Sequence, residues 1–298
     1  MATPPRIGIV VTDTYAAEDP DHDSPLLLEA LRERGAQAHP VIWHRSGDLS
    51  SFDLLVIRSP WDYPERPAEF RTWLGRAHAE SRVLNPAPMV QWNLDKHYLR
   101  DLEAAGIPTA PTVYCATRAQ ARAALAALEP RRVVVKPTVS AGARDTGLFD
   151  AADPEALALA IRIVDAGGVA MVQPEIPELS AGAEKALYAI DGTFTHAIAK
   201  GALLAHGGGY LGGTYTENPE LVDATETERA FADDVLRAVS SITGHPVPLY
   251  ARIDTVDSAE FGLLVVEVEL IEPSLNLHVA PHVTAVVADS ILRAAHIG

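Results

Sequence analysis

The chain has 298 residues, 48% hydrophobic and 21% charged, enough to build well-developed cores shared among two or three compact units. A formal net charge of −16 argues against non-specific binding to nucleic acid or anionic membranes, so local lysines and arginines must hold any anionic ligand. The lone Cys115 excludes an internal disulfide and predicts a reducing, cytoplasmic setting.

Met1-Ala2-Thr3-Pro4-Pro5-Arg6 lacks the charged head, apolar middle and small-residue cleavage site of a secretory signal. No apolar run approaches the roughly 18–20 residues that spanning a bilayer needs. Ile7 to Val11 reads as a short strand. Ser24-Pro25 predicts a helix N-cap followed by proline at the first position, with Leu26, Leu27, Ala30 and Leu31 as the apolar face and Gly35 as the stop. Strands are expected from Ala38 to Trp43 and from Leu54 to Ile57, the latter ending at Arg58. A helix from Pro67 to Ala79 leads to a short strand at Val83-Leu84. Residues 1–92 thus predict an α/β domain with a parallel sheet, where ligands gather at the carboxyl ends of strands. Asp13 and the run Arg58-Ser59-Pro60-Trp61-Asp62-Tyr63 lie at two such ends.

Residues 93–175 predict a lead-in helix and a smaller α/β unit. The helix runs from Asn93 to Ala105 and stops at Gly106 before Pro108. Strands at Val113-Tyr114, Arg132 to Lys136 and Val169 to Gln173 alternate with helices at Arg118 to Leu128 and Pro154 to Asp165. Residues 176–298 have more antiparallel character. Strands from Lys185 to Ile190 and from Thr193 to Ile198 flank Asp191-Gly192, a two-residue hairpin signal. A long helix from Thr225 to Ser241 precedes two further strands, and His282 to Ala295 closes the chain. Gly207-Gly208-Gly209-Tyr210-Leu211-Gly212-Gly213 is either a lid over a site or a plain connection.

The most informative stretch is the last pair of strands, Arg252-Ile253-Asp254 and Val265-Val266-Glu267-Val268-Glu269-Leu270 with Glu272 beyond it. Alternate strand residues share a face, so Glu267 pairs with Glu269 and Arg252 with Asp254. Like charges held that close are costly unless a cation lies between them. A solvated face would explain the acids, but Leu263, Leu264, Val265, Val266 and Leu270 make the strand too apolar for open surface. Hard oxygen ligands around Mg²⁺ would relieve the repulsion beside nucleotide phosphates. Lys136 ends an apolar strand beside the turn Val139-Ser140-Ala141-Gly142-Ala143, where backbone N–H groups can approach phosphate. Lys200 ends another strand, and Lys96 follows Asn93-Leu94-Asp95. No Walker A loop, Gly-x-Ser-x-Gly elbow or intact helical His pair occurs, because Pro281 separates His278 from His282.

In this order and spacing, Trp92-Asn93-Leu94-Asp95-Lys96, Gly106-Ile107-Pro108, Val134-Val135-Lys136-Pro137, Val172-Gln173-Pro174-Glu175-Ile176, Glu184, Lys200, Arg252-Ile253-Asp254 and the Glu267 strand resemble the ATP-grasp superfamily, in its glutathione-synthetase-like branch. The resemblance implies an ATP-grasp fold, α/β with α+β character in its C-terminal part, behind an N-terminal Rossmann-like domain. It implies that Lys96, Lys136 and Lys200 hold ATP phosphates. Gln173, Glu175 and Ile176 would meet adenine and Glu184 the ribose. Asp254, Glu267 and Glu269 would hold Mg²⁺, and Arg252 would stabilise the transferring phosphoryl. The usual metal signature is Glu-x-Asn, whereas this chain has Glu267-Val268-Glu269, which leaves the division of ligands among Glu267, Glu269 and Glu272 open.

Chain length, Arg58 to Tyr63, Val139 to Thr146 and Glu269-Leu270-Ile271-Glu272-Pro273-Ser274 further resemble the O-ureido-D-serine cyclo-ligase family, which forms D-cycloserine. That resemblance implies ATP-dependent activation of a small amino-acid carboxylate and attack by a nitrogen of the same molecule. The alternative is a ligase joining the carboxylate to a separate amine. Arg58 is expected at the substrate carboxylate, with an ion pair to Asp62 as the other reading. Tyr63 and Asp13 would meet the amino or ureido ends. A homo-oligomer is compatible with the sequence.

Overall fold

The computed structural model describes residues 3–16, 20–211 and 218–296. The first sheet is built from β1 (Arg6–Val11), β2 (Gln37–Ile42), β3 (Leu54–Ser59) and β4 (Val83–Leu84), in the order β2-β1-β3-β4 and parallel throughout. Helices α1 (Asp23–Glu33) and α2 (Pro67–Glu80) are its crossovers. The α1 helix begins earlier than Ser24-Pro25 suggests, because Asp21 Oδ1 accepts the backbone N–H groups of both Asp23 and Ser24 and satisfies the first turn from outside.

The expected helix from Asn93 to Ala105 is two helices, α3 (Ala87–Asn93) and α4 (Tyr98–Ala104). Between them the Lys96 N–H donates to the Thr138 carbonyl at 2.8 Å and Asp95 Oδ1 accepts the His97 N–H at 3.0 Å. These bonds compete with helix continuation and leave Lys96 tethered to the neighbouring sheet. That sheet comprises β5 (Val113–Cys115), β6 (Arg132–Pro137), β7 (Gly147–Asp150) and β8 (Ala170–Pro174), covered by α5 (Arg118–Leu128) and α6 (Pro154–Asp165). Its order is β5-β8-β6-β7 and every pairing is antiparallel, unlike an alternating α/β unit. The short hairpin strand β7 carries too little pattern to be read from sequence.

After α7 (Pro177–Ser180) come β9 (Lys185–Ile190), β10 (Thr193–Ala199), β11 (Glu220–Val222), α8 (Glu226–Thr243), β12 (Tyr250–Ser258), β13 (Gly262–Glu269) and α9 (His282–Ala295). The third sheet has the order β11-β10-β9-β12-β13, antiparallel throughout. Thr225 and Glu228 form a reciprocal capping box on α8, and Gly244 ends that helix at φ 68°. Two cores tie distant segments together. Helix α9 packs Val283, Val287 and Ile291 with Leu27 and Leu31 of α1. Met89, Tyr98, Leu99 and Leu102 pack against Leu187, Ile253 and Val268 of the third sheet. No helix among the described residues is long and apolar enough to cross a membrane.

Candidate active site

Strands β12 and β13 pair so that Arg252 lies opposite Glu269 and Asp254 opposite Glu267. All four side chains therefore share one face of the sheet. The Arg252 guanidinium donates Nε and Nη2 to Asp254 at 2.9 Å each, and Nη2 also to Glu269 at 2.5 Å. Lys200 Nζ lies 3.0 Å from both Glu184 and Asp254. Lys96 Nζ is 3.0 Å from Glu267 and donates to the Ser140 carbonyl at 2.9 Å.

Burial opposes ionisation of Glu267, but Lys96 and Lys136 outweigh it and hold the carboxyl below its usual range. Arg252 and Lys200 do the same against burial for Asp254. Burial dominates at Glu269, which is pushed up to about 8, with Glu267 and Asp254 adding to it against Arg252. Burial likewise lifts Glu272 to about 7 despite its hydrogen bond with Tyr63. Glu184 is raised by burial, partly offset by Lys200. The Lys136 amine is held below its usual range by burial, with Lys96 and Lys200 adding to it against Glu267. Burial thus keeps both a carboxyl and an amine of this site away from their charged forms, and a bound cation and a bound polyanion would each favour the charged form.

These groups line one cleft between the second and third sheets. Lys96, Lys136, Gln173, Glu175, Ile176, Glu184, Lys200, Arg252, Glu267 and Glu269 all contribute to its wall. Asp254, 1% exposed, sits beneath it. Gln173 donates to Thr112 Oγ1 at 2.7 Å, while Glu175 pairs with Arg132 at 2.6 Å and accepts from Ser180 at 2.6 Å. Apolar wall residues Ala110, Val134, Leu148, Leu179 and Leu204 escaped notice in the sequence because an apolar strand position reads as core. Among the described residues no three His, Cys, Asp or Glu side chains converge in metal-holding geometry, since each carboxylate on the face turns toward an ammonium or guanidinium.

The glycine loop contacts the second sheet. Gly207 and Gly208 donate to the Leu148 carbonyl at 2.9 and 3.2 Å, and the Tyr210 hydroxyl to the Ala143 carbonyl at 3.1 Å. At Gly208, φ is +95° and a Cβ would meet the Phe149 ring at 3.0 Å, so only glycine fits. Gly212 and Gly213 lie outside the described residues.

Asp13, Arg58 and Tyr63 are not on the cleft wall. Asp13 pairs with Arg45 at 2.8 Å and His44 at 3.1 Å. Arg58 is 2% exposed, stacks 4.6 Å from the Tyr250 ring centroid, and donates Nη2 to the Pro273 carbonyl. Its Nε and Nη1 are buried without a hydrogen-bond partner among the described residues, so Pro273 engages only one arm of its guanidinium fork. Its alternative partner Asp62 pairs with Arg66 instead. Tyr63 is buried and reaches the acidic region through Glu272.

The family described as D-cycloserine synthetase DcsG, N-terminal domain, matches residues 7–85. The cycloserine biosynthesis protein DcsG of Streptomyces lavendulae is 37% identical over 281 residues, covering 91% of this chain and 93% of that protein. The crystal structure of D-cycloserine synthetase DcsG superposes with a TM-score of 0.88 at 33% identity, covering 97% of this chain and 99% of that one. A RimK domain ATP-grasp protein from Sphaerobacter thermophilus has a TM-score of 0.66 at 19% identity, with 95% and 98% covered, a likeness of fold.

Proposed function

The chain belongs to the DcsG family, whose fold is ATP-grasp and whose members are ATP-dependent ligases of cycloserine biosynthesis, and on that premise we propose that it closes O-ureido-D-serine to D-cycloserine. The observation that carries the site is the shared face of Arg252, Asp254, Glu267 and Glu269 opposite the amines of Lys96, Lys136 and Lys200. On this reading the three lysines hold the ATP phosphates. Gln173, Glu175 and Ile176 border the adenine, and Glu184 faces the ribose. Apolar residues on both sides of the cleft sandwich the base and exclude water.

Asp254, Glu267 and Glu269 are the residues that would hold Mg²⁺. The fit rests on their hard oxygen donors and on their crowding on one face, where burial first and the neighbouring carboxylates second lift the Glu269 carboxyl to about 8. Bound there, the cation withdraws charge from phosphate oxygens. Arg252, anchored by Asp254 and Glu269, presents a fixed guanidinium where charge gathers on the phosphoryl group in flight. The substrate carboxylate attacks the γ-phosphoryl in line and yields an acyl phosphate and ADP. The substituted ureido nitrogen then attacks the acyl carbon, phosphate leaves, and the ring closes still carrying the carbamoyl group. One water then cleaves the bond between the ring nitrogen and the carbamoyl carbon, the nitrogen takes a proton, and the carbamoyl group departs as carbon dioxide and ammonia. An acyl phosphate survives only where water is kept out, a task suited to the glycine loop lying on the second sheet.

The alternative, ligation to a separate amine, is decided by one incubation. O-ureido-D-serine, ATP and Mg²⁺ are supplied without added amine, and phosphate and product mass are followed. The cyclo-ligase reading expects both phosphate and the ring. Phosphate release only after adding an amine would establish the intermolecular reaction instead.

A further inference from the structure

Strand β13 is the last strand of its sheet, so one edge of its backbone has no partner strand. That edge is nonetheless buried near Val268 and Leu270, at 1% and 0% exposure. Unpaired backbone groups in such a place are expensive, so their partners must be found elsewhere. At Val265 the partner is backbone: its N–H donates to the Pro108 carbonyl at 2.9 Å, and its carbonyl accepts from Ala110 at 3.0 Å. Beyond Val265 side chains take over. The Tyr98 hydroxyl accepts the Val268 N–H at 2.9 Å. Asn93 donates Nδ2 to the Val268 carbonyl at 2.8 Å and accepts the Leu270 N–H on Oδ1 at 2.8 Å. Asn85 Nδ2 then donates to the Leu270 carbonyl at 2.8 Å.

A carboxamide offers the same donor and acceptor as a peptide group. Asn93 therefore imitates the missing strand at the two residues that flank Glu269. Val268 and Leu270 point into the core, and Glu267 and Glu269 point into the cleft. Any shift of the Val268–Leu270 backbone moves both carboxylates. The same grip continues past the strand, where Trp61 Nε1 donates to the Glu272 carbonyl at 2.9 Å and Arg58 donates to the Pro273 carbonyl.

We infer that Asn93 and Tyr98 are positioning residues for the reaction, fixing Glu267 and Glu269 by holding the edge of β13 in place of a sixth strand. The inference rests on the reading of those acids as cation ligands. It also assigns Arg58 to the same backbone grip, one segment further on.

The test uses Asn93→Asp, which keeps shape and the acceptor but loses the donor to Val268, and Tyr98→Phe, which loses only the hydroxyl. The Mg²⁺ concentration for half-maximal phosphate release should rise about tenfold in each, as for other residues that orient metal ligands. ATP affinity measured in EDTA should stay at the wild-type value. Amide exchange at Val268 and Leu270 should accelerate while the β12 amides stay protected. An unchanged Mg²⁺ requirement in both variants, despite faster exchange, would overturn the inference, as would a matching loss of metal-free ATP affinity. A wild-type enzyme that releases no phosphate would instead defeat the ligase reading, and the exchange data would still judge the ladder.

Discussion

Two regions of this protein gather charged side chains, and they are chemically opposite. At the carboxyl ends of the parallel sheet, Asp62 accepts the Trp43 indole N–H at 2.7 Å and pairs with Arg66, while Asp13 is held by Arg45 and His44. Burial is outweighed there by Trp43, Thr12 and Arg66, which hold the Asp62 carboxyl below its usual range. At Glu269 on the β12–β13 face and at Glu272 just beyond it, the carboxyls are pushed up to about 8 and about 7, because burial and neighbouring carboxylates exceed what Arg252, Lys96 and the Tyr63 hydrogen bond supply. The Asp13 and Asp62 carboxylates are matched within the chain, whereas Glu269 and Glu272 are not. The comparison teaches that a count of acids and bases does not locate a site; the balance among them does.

The sharpest way to break that comparison is Arg252→Ala. It removes the guanidinium that faces the phosphoryl group, and turnover should fall on the order of 10³-fold while ATP binding is largely spared. Phosphate release and nucleotide titration check this, and near-normal turnover would take Arg252 off the catalytic face. In the matched cluster, Asp62→Asn should instead cost about 1.5–3 kcal/mol of stability through weakened charged hydrogen bonds, with kcat unchanged. Urea unfolding beside a turnover assay separates the two, and a large loss of kcat at unchanged stability would make Asp62 functional.

The two regions also differ in their response to pH. Glu269 and Glu272 have folded values above the usual 4.5, so the folded state keeps protons that the unfolded chain releases. Their contribution to stability is full below 4.5 and is lost as pH rises toward about 8. His196 opposes this at lower pH, because burial depresses it from 6.5 to about 4 and its contribution grows as pH rises through that interval. Above 6.5 the histidine is neutral in both states, and Asp62, Asp254 and Glu267, all lowered, are ionised in both. The carboxyl pair should therefore lower stability in EDTA between pH 6.5 and 8, opposed by Lys136 as its lowered amine deprotonates ahead of the unfolded one, and Mg²⁺ should flatten the carboxyl part by displacing the retained protons. Melting temperatures of Lys136→Met across that interval, with and without Mg²⁺, check the sign; a rise with pH in EDTA would refute proton retention by Glu269 and Glu272.

The strand-borne part of the site was legible in the sequence because a period of two alone puts Arg252 with Asp254 and Glu267 with Glu269. That the two pairs face one another depends on the β12–β13 register, which no local pattern states. The break at Lys96 was hidden because it depends on Thr138, which follows the end of β6 in another part of the chain. Arg58 reads as a ligand arginine at a strand end, and its bond to Pro273, 215 residues away, is one that no local pattern announces. The antiparallel pairing of β6 with β8 was equally hidden, since a short apolar strand looks the same in either direction.

The smallest expected effect falls on Asp13, which strand-end position alone puts beside the substrate. Its carboxylate is matched by Arg45, whose side chain is 68% exposed, and by His44. An exposed ion pair of this kind contributes less than about 1 kcal/mol. Asp13→Asn should therefore leave both kcat and the KM for the amino-acid substrate unchanged, with a barely detectable shift in the urea midpoint. A KM raised selectively for that substrate would mean that the parallel sheet's strand ends close onto the cleft during turnover, and the two charged regions would then be one site.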